Sequence, residues 1–317
     1  MNKRSFLFAL IAFPFAFLSC KKDKTNSLKG DAVQLNNFFS TQIENNTQHF
    51  VVDATLGGIL VGTKGTKIEI SSNCLYNQNN QLVTGNVDVA LVEIYDRASM
   101  VMMNKPTMGR LADGKMSTLI SGGEYFLKIT QNGQELNTNS SLKVSVYLPV
   151  NNTGGMNGNM SLFSGVIENN VLEWDQILDT VAVVNDSVWE QSYSILDGSW
   201  GWTNVDRFYS DPRPKTELKV KVPDGLNNTN CEVYLTYDGE VTALASLDVY
   251  TSDGYFSEHY GLIPIGLQVH FIAVTMIDGQ LNYAIQAATI TDGHIEYINS
   301  FTPISQANLA TLINNLP

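Results

Sequence analysis

Polar and apolar residues alternate along several stretches of the chain, so that every second side chain is apolar. The clearest stretches are residues 67–70 (KIEI), 86–92 (NVDVALV), 142–146 (LKVSV) and 217–222 (ELKVKV). Alternate side chains of a strand point to opposite faces of its sheet, so this pattern predicts strands with one buried face. Polar turns between such strands are typical of antiparallel sheets. We therefore predict a mostly β protein with two antiparallel β-sandwich-like domains.

Two short segments, residues 31–44 and 305–315, carry apolar residues at helical spacing instead. Their apolar faces consist of Leu35, Phe38, Phe39 and Ile43 in the first segment, and of Leu309, Leu312, Ile313 and Leu316 in the second. Ser305 is placed to cap the second segment, since a serine hydroxyl accepts a hydrogen bond from a free backbone N–H. The pattern predicts one short N-terminal and one short C-terminal helix.

The first twenty residues have the character of an export signal. Two basic residues stand among the first four, and residues 6–18 are wholly apolar but too short to cross a bilayer comfortably. The run ends in Leu18-Ser19-Cys20, which resembles the bacterial lipoprotein box. That resemblance implies transfer of a diacylglycerol to the Cys20 thiol, cleavage just before Cys20 and acylation of the new amine. The alternative is an ordinary signal peptide with an incidental cysteine.

The residues after Cys20 are informative about which face of the outer membrane the protein occupies. A lysine followed by acidic residues resembles the surface-export tag of Bacteroidota lipoproteins, and only Lys22 and Asp23 fit it because Lys24 interrupts the acidic run. The other interpretation is a solvated linker. We expect a lipid-anchored outer-membrane protein, and the choice between the periplasmic face and the cell surface stays open.

The clearest turn-rich segment in the middle of the chain is NNTGGMNGNM at 151–160, whose composition cannot bury a core. It predicts a boundary between two domains. The expected organisation is a signal peptide (1–19), a flexible tether (20–34), a sandwich with a short leading helix (35–150), a linker (151–160) and a second β-rich domain with a short C-terminal helix (161–317).

The charge of the chain excludes nucleic acid as a partner. Removal of Lys3 and Arg4 with the signal peptide leaves 17 of the 19 basic residues against 31 acidic ones. So acidic a chain has no electrostatic attraction for phosphates. The two cysteines of the mature chain, Cys74 and Cys231, fall in different predicted domains, which favours two unpaired thiols over a disulfide between the domains.

Several segments of the first predicted domain resemble a known family. They include VVDA (51–54), GTKGTKIEI (62–70), VTGNVDVALVEIYD (83–96) and SGGEYFLKITQNGQEL (121–136). This pattern is similar to the ZU-type β-sandwich of ankyrins and netrin receptors, which also occurs in Bacteroidota lipoproteins. The resemblance implies a fold and no activity. Some ZU-type domains cleave themselves at His-Phe-Ser, but both His-Phe pairs here precede an aliphatic residue, so we expect no self-cleavage.

The sequence offers no metal or cofactor site. Gly57 and Gly62 have the spacing of a phosphate loop, but Thr63 stands where the lysine belongs, so a β-turn is expected. Neither a zinc-binding H-E-x-x-H nor a G-x-S-x-G nucleophile motif occurs. We expect no cofactor and no metal, and none of the four histidines has a partner at ligand spacing: His49, His259, His270 and His294.

A tryptophan pair is the most distinctive candidate for ligand contact. Trp200 and Trp202 would face the same way on a strand, with Asp206 and Arg207 close behind them. Exposed, the four residues would form a platform for sugar rings or a peptide. Buried, the tryptophans would belong to the core, which the usual role of large aromatic residues favours.

Two tripeptides resemble the acceptor sequence for O-glycosylation in Bacteroidota. They are Asp179-Thr180-Val181 and Asp186-Ser187-Val188, with Thr180 and Ser187 as the modified residues. So short a pattern also arises by chance.

Three functions are compatible with these observations. The first is a non-enzymatic binding or scaffolding lipoprotein, attached to the membrane through the Cys20 lipid and working with an envelope protein, a glycan or a peptide. The second is a surface protein that captures a glycan or peptide with the Trp200/Trp202 stretch. The third is a hydrolase whose site is assembled from residues scattered along the chain. The missing catalytic motif favours the first.

Overall fold

The computed structural model describes residues 27–138, 144–168, 171–177, 182–184, 192–195 and 200–317. Strands make up 51% of it and helices 13%, which confirms the predicted mostly β fold. The predicted signal peptide, Cys20, Thr180 and Ser187 lie outside the described residues.

The first half of the fold is a β-sandwich with short connections. Its strands are β1 (Gln48–Asp53), β2 (Gly58–Val61), β3 (Lys67–Ile70), β4 (Leu75–Tyr76), β5 (Asn86–Ile94), β6 (Met108–Arg110), β7 (Met116–Gln131), β8 (Gln134–Glu135), β9 (Asn137–Thr138), β10 (Val144–Pro149), β11 (Ser161–Glu168), β12 (Val171–Ile177), β13 (Ala182–Val184), β14 (Ser192–Ile195) and β15 (Gly201–Phe208).

An eight-stranded sheet forms one layer of this sandwich, in the order β1-β5-β7-β15-β11-β12-β6 with β8 beside β7. β6 also pairs with β7, so this sheet curls back on itself. A five-stranded sheet in the order β13-β14-β10-β3-β2 forms the other layer. Alternating apolar residues such as Val89, Leu91 and Val146 fill the space between the two layers. Their burial is the main source of stability in such a fold.

The second half is a smaller sandwich. Its strands are β16 (Lys215–Lys221), β17 (Cys231–Tyr237), β18 (Leu244–Ser246), β19 (Val249–Tyr250), β20 (Phe256–Pro264), β21 (Gln268–Ile277), β22 (Gln280–Thr289), β23 (His294–Tyr297) and β24 (Thr302–Pro303). A four-stranded sheet, β19-β20-β16-β23, faces a five-stranded sheet, β18-β17-β21-β22-β24. Cys231 is buried in this core and Cys74 in the first one, and both thiols are free, as the sequence favoured.

The predicted domain boundary at 151–160 is misplaced. Strands β11, β12 and β15, which follow it, join β7 in the eight-stranded sheet, and β14 pairs with β10. The segment instead forms a 3₁₀ turn followed by Gly154 at φ 87°, within the first sandwich. Asparagine and glycine indicate that the chain turns, but they do not indicate that a sheet ends. The first sandwich ends with β15, and the second sandwich begins with β16.

Three helices pack between the sandwiches in the described part of the chain: α1 (Ala32–Asn46), α2 (Arg97–Met103) and α3 (Gln306–Asn314). The predicted N-terminal and C-terminal helices are α1 and α3, and the Ser305 hydroxyl accepts from the Asn308 N–H at 3.3 Å. Leu312 is 41% exposed, so the apolar stripe of α3 is narrower than predicted. None of these helices is long and apolar enough to cross a membrane.

A shared core joins the two sandwiches. It includes Ile94 and Trp174 of the first sandwich and Tyr234 and Ile272 of the second, with Leu309 of α3. Because one cluster contains side chains from both halves, neither half has an independent core on this side. We therefore expect the sandwiches to unfold together.

The last residues of the predicted flexible tether are attached to the second sandwich. The Leu28 N–H donates to the Asp224 carbonyl at 2.9 Å, and the Asp31 N–H donates to the Met276 carbonyl at 2.8 Å. The Asn230 side chain donates to the Gly30 carbonyl at 3.2 Å. The prediction of a flexible tether is therefore wrong for residues 28–34, because backbone hydrogen bonds and α1 hold them.

Candidate functional site

The two tryptophans of the candidate platform pack against different cores. Trp202 lies in the core shared by the sandwiches, whereas Trp200 packs at the edge of the first sandwich's own core. Gly201 separates them and has φ 82°, outside the extended region. Alternation of side chains holds only for extended backbone, so the prediction that both rings face the same way is wrong.

Trp202 is buried and closely packed. The residue is 9% exposed, and its ring lies 5.4 Å from the ring of Phe126, centroid to centroid. A Cβ on Gly165 would approach the Trp202 Cβ to 2.6 Å, so glycine is required there for the ring to pack. The Lys105 ammonium lies 5.1 Å from the indole centroid. Of the two alternatives from the sequence, burial is therefore correct for Trp202.

Asp206 is also inaccessible to solvent. Its Oδ2 accepts from the Asn204 amide at 2.6 Å, while the Ser121 hydroxyl donates to the Asn204 Oδ1 at 2.9 Å. An irregularity in strand register between residues 204 and 206 accompanies this contact. Burial raises the pKa of Asp206 well above its usual value, because water no longer stabilises the ionised form.

Glu124 is the residue that the sequence analysis missed at this place. It lies on β7 directly opposite Asn204 of β15 and opposite Ile94 of β5, so its side chain faces the shared core. It is fully buried, and neither carboxylate oxygen has a hydrogen-bond partner among the described residues. Burial, and then the nearby Asp206, raise the Glu124 pKa well above its usual value, and Lys105 opposes this rise.

We call Lys105, Ser121, Glu124, Asn204 and Asp206 the buried acid cluster. It lies where β7 and β15 meet the segment after α2. Burial also lowers the pKa of Lys105. Both carboxyl groups are completely shielded from solvent. The cluster therefore has the raised carboxyl pKa values common at active sites, but it lacks the access that a substrate needs.

Arg207 is the fourth residue of the candidate platform. Its Nη2 lies 4.0 Å from the Glu240 Oε2, so this ion pair joins β15 to the turn between β17 and β18. Trp202 and Asp206 are buried and Arg207 contacts the second sandwich, so these residues do not form an exposed ligand surface together. The platform prediction is wrong because β15 is an internal strand of the eight-stranded sheet, with the first sandwich's core against one face and the shared core against the other.

The phosphate-loop-like segment holds an internal carboxylate instead of a phosphate. The Glu93 carboxylate accepts from the backbone N–H groups of Lys64 and Thr66, each at 2.9 Å, and from the Gln48 side chain at 2.7 Å. A Cβ on Gly62 would lie 2.5 Å from a Glu93 oxygen, which explains the glycine. The turn expected from the sequence is present, and the Glu93 carboxylate accepts hydrogen bonds from the backbone N–H groups of that turn.

We expect Glu93→Gln to destabilise the protein by about 2 kcal/mol. An amide keeps one acceptor oxygen and turns an NH₂ group toward backbone donors, so charge-assisted hydrogen bonds are lost. Urea unfolding of the variant should show this loss. Glu135→Gln, at a half-exposed position on β8, is the matched control and should change stability by less than about 0.5 kcal/mol. An equal loss of stability in both variants would show that the Glu93 contacts stabilise the protein no more than a half-exposed carboxylate does.

The three histidines whose side chains the structure describes, His49, His270 and His294, do not converge on a site. His270 Nδ1 lies 2.8 Å from the Asp238 Oδ1, and His294 Nε2 lies 3.0 Å from the Glu296 Oε2. His49 is exposed on β1. The described residues contain no group of three or more His, Cys, Asp or Glu side chains arranged to hold a metal ion.

Comparison with known proteins does not assign the chain to a family. No family model matches it. No curated protein matches it. The resemblance to ZU-type domains therefore stays a prediction from the motifs quoted above.

Proposed function

We propose that the protein is an outer-membrane lipoprotein that is anchored through a lipid on Cys20 and acts as a non-enzymatic binding or scaffolding module. The observation that carries the proposal is the N-terminal pattern: a basic start, an apolar run and Leu18-Ser19-Cys20. A thiol is needed at this position because the thiolate is the nucleophile in lipid transfer. Several acyl chains on one residue anchor a protein far better than one.

The arrangement of the sandwiches supports a role in binding or scaffolding. The shared core and the Arg207–Glu240 pair connect the two halves, so they present their surfaces in a fixed relation. Rigid presentation reduces the entropy lost when a partner binds. The glycan or peptide platform at Trp200 and Trp202 is not part of the proposal, because Trp202 and Asp206 are buried.

We expect Cys20→Ala to abolish both lipidation and membrane attachment. The wild-type protein should sediment with the outer membrane and incorporate labelled palmitate, whereas the variant should remain soluble and unlabelled. Lys21→Ala is the matched control, since it changes the neighbouring residue and leaves the thiol in place. A Cys20→Ala protein that still sediments and still incorporates label would refute the proposed anchor.

Protease treatment of intact cells distinguishes the two membrane faces. Degradation of the wild-type protein from outside would place it on the cell surface. Protection until the outer membrane is opened would place it on the periplasmic face.

A further inference from the structure

The outer face of the four-stranded sheet in the second sandwich carries lysines and aromatic rings. Along β16 the side chains of Leu218 and Val220 enter the core, so those of Lys219 and Lys221 point outward. β23 runs parallel beside β16 and pairs Ile295 with Lys219 and Tyr297 with Lys221. Ile295 is 47% exposed and Tyr297 is 49% exposed.

Tyr255, which immediately precedes β20, contacts both lysines of this face. The Lys219 ammonium lies 5.6 Å from its ring centroid and the Lys221 ammonium lies 5.1 Å from it. The neighbouring Tyr255 side chain is the main cause of the raised pKa of Tyr297. We call Lys219, Lys221, Tyr255, Ile295 and Tyr297 the lysine–tyrosine face.

The two ammonium groups are held in place and still have donors available. Lys219 Nζ lies 3.5 Å from an Asp253 oxygen, and Lys221 Nζ donates to the Gly254 carbonyl at 2.9 Å. An ammonium has three N–H donors, so each lysine keeps donors for a ligand. The acidic residues near the pair are Asp253, at the turn before Tyr255, and Glu217, which is exposed two residues before Lys219 on β16.

The two lysines of this face stand close together in an acidic molecule. The whole chain carries a formal net charge of −12, yet two lysines converge here on one aromatic ring. Asp253 already pairs with Lys219, whereas Lys221 donates to a neutral carbonyl, so a bound anion would supply a charged partner for Lys221. The exposed apolar surface of Ile295 and Tyr297 lies beside them and suits the flat face of a ring.

We propose that the lysine–tyrosine face binds a carboxylate-bearing polysaccharide, with Lys219 and Lys221 on the carboxylates and Tyr297 and Ile295 against the sugar rings. In a uronic acid the carboxylate is attached directly to a rigid ring, so one unit makes the ion pair and the apolar contact together. An acidic peptide carries its carboxylates on flexible side chains, whose ordering costs entropy. This inference rests on the proposed binding function and names the class of ligand.

The test is calorimetric titration of the full mature lipoprotein, in detergent, with polygalacturonate, neutral dextran and poly-L-glutamate. We expect binding to polygalacturonate that weakens as salt is raised, and none to dextran. The double variant Lys219→Ala/Lys221→Ala should lose at least about tenfold in affinity, since charge-assisted hydrogen bonds are lost. Tyr297→Ala should weaken binding without changing the salt dependence.

The double variant Lys115→Ala/Lys128→Ala is the matched control, because it removes two half-exposed lysines from the first sandwich. Equal weakening by both double variants would overturn the inference, since any loss of positive charge would then suffice. Absence of binding by the wild-type protein would overturn it, and equal binding of poly-L-glutamate would replace the glycan with an acidic peptide. Membrane sedimentation from cells that express the same protein, before detergent is added, reports on the Cys20 anchor separately, so the two proposals fail independently.

Discussion

Replacing Glu124 with glutamine is expected to stabilise the protein near pH 8 and to change its stability little near pH 5. The folded state keeps this carboxyl protonated because burial raises its pKa well above the usual value. The unfolded chain releases the proton near the ordinary glutamate pKa of about 4.3. Above that pH, ionisation of this carboxyl stabilises the unfolded state. The folded state is not stabilised in this way until the pH reaches the raised pKa.

The sign of the effect follows from proton binding. Between the two pKa values the folded state holds one more proton than the unfolded state, so stability falls as the pH rises, by about 1.4 kcal/mol per pH unit. Glutamine has no proton to lose, so the variant avoids this loss. The gain over wild type therefore grows to at most about 4 kcal/mol between about pH 5 and pH 8. It stops growing at the raised pKa of Glu124.

Urea unfolding of both proteins at several pH values measures this difference. Glu258, whose pKa is raised to about 7 by burial, titrates in wild type and variant alike, so its contribution cancels. Glu44→Gln, on the exposed face of α1, is the control and should show no such growth. A difference between Glu124→Gln and wild type that stays constant across the range would show that Glu124 is ionised in the folded protein.

The second large effect is expected from Trp202→Ala, which should destabilise the protein by about 3–5 kcal/mol. Removal of a buried tryptophan leaves a cavity and loses the contacts of its ring. Phe126 and Lys105 would lose the surface on which they pack. The melting temperature should fall by about 5–8 °C, because each kcal/mol corresponds to roughly 1.6 °C in a protein of about 300 residues.

Trp200→Ala is the natural comparison. Its ring is only partly buried at the edge of the first core, so its removal should cost clearly less. Trp202 belongs to the shared core, so the Trp202→Ala protein should still unfold in a single transition. A thermal melt of Trp202→Ala that matched wild type would contradict its burial, and two separate transitions would contradict a core common to both sandwiches.

The sequence was informative where a local pattern has a local cause. Alternation predicted the β fold because strand geometry places every second side chain on one face. The cap at Ser305 could be predicted from sequence because the serine hydroxyl bonds to the N–H of Asn308, only three positions along the chain. Helix α2 was missed because it is short and buried, including Arg97, whose guanidinium donates to the Leu316 and Pro317 carbonyls. A helix without a polar face has no amphipathic pattern.

The candidate site was poorly predicted because it depends on tertiary contacts. Glu124 stands in the sequence as a single acid after two glycines, and only the pairing of β7 with β15 brings it toward Asp206. The two tryptophans were assigned to one face because the positive φ of Gly201 cannot be read from spacing alone. Glycine permits such a conformation without requiring it.

The hydrogen bond of Leu28 to the second sandwich limits how far the protein would extend from the anchor proposed at Cys20. Eight residues separate a lipid on Cys20 from the first hydrogen bond to Asp224, and a fully stretched chain of that length spans roughly 28 Å. This distance is about the thickness of the hydrocarbon core of one bilayer. The lipid proposed on Cys20 would therefore make the second sandwich the membrane-proximal half, and its lysine–tyrosine face would meet polymers that lie close to the membrane surface.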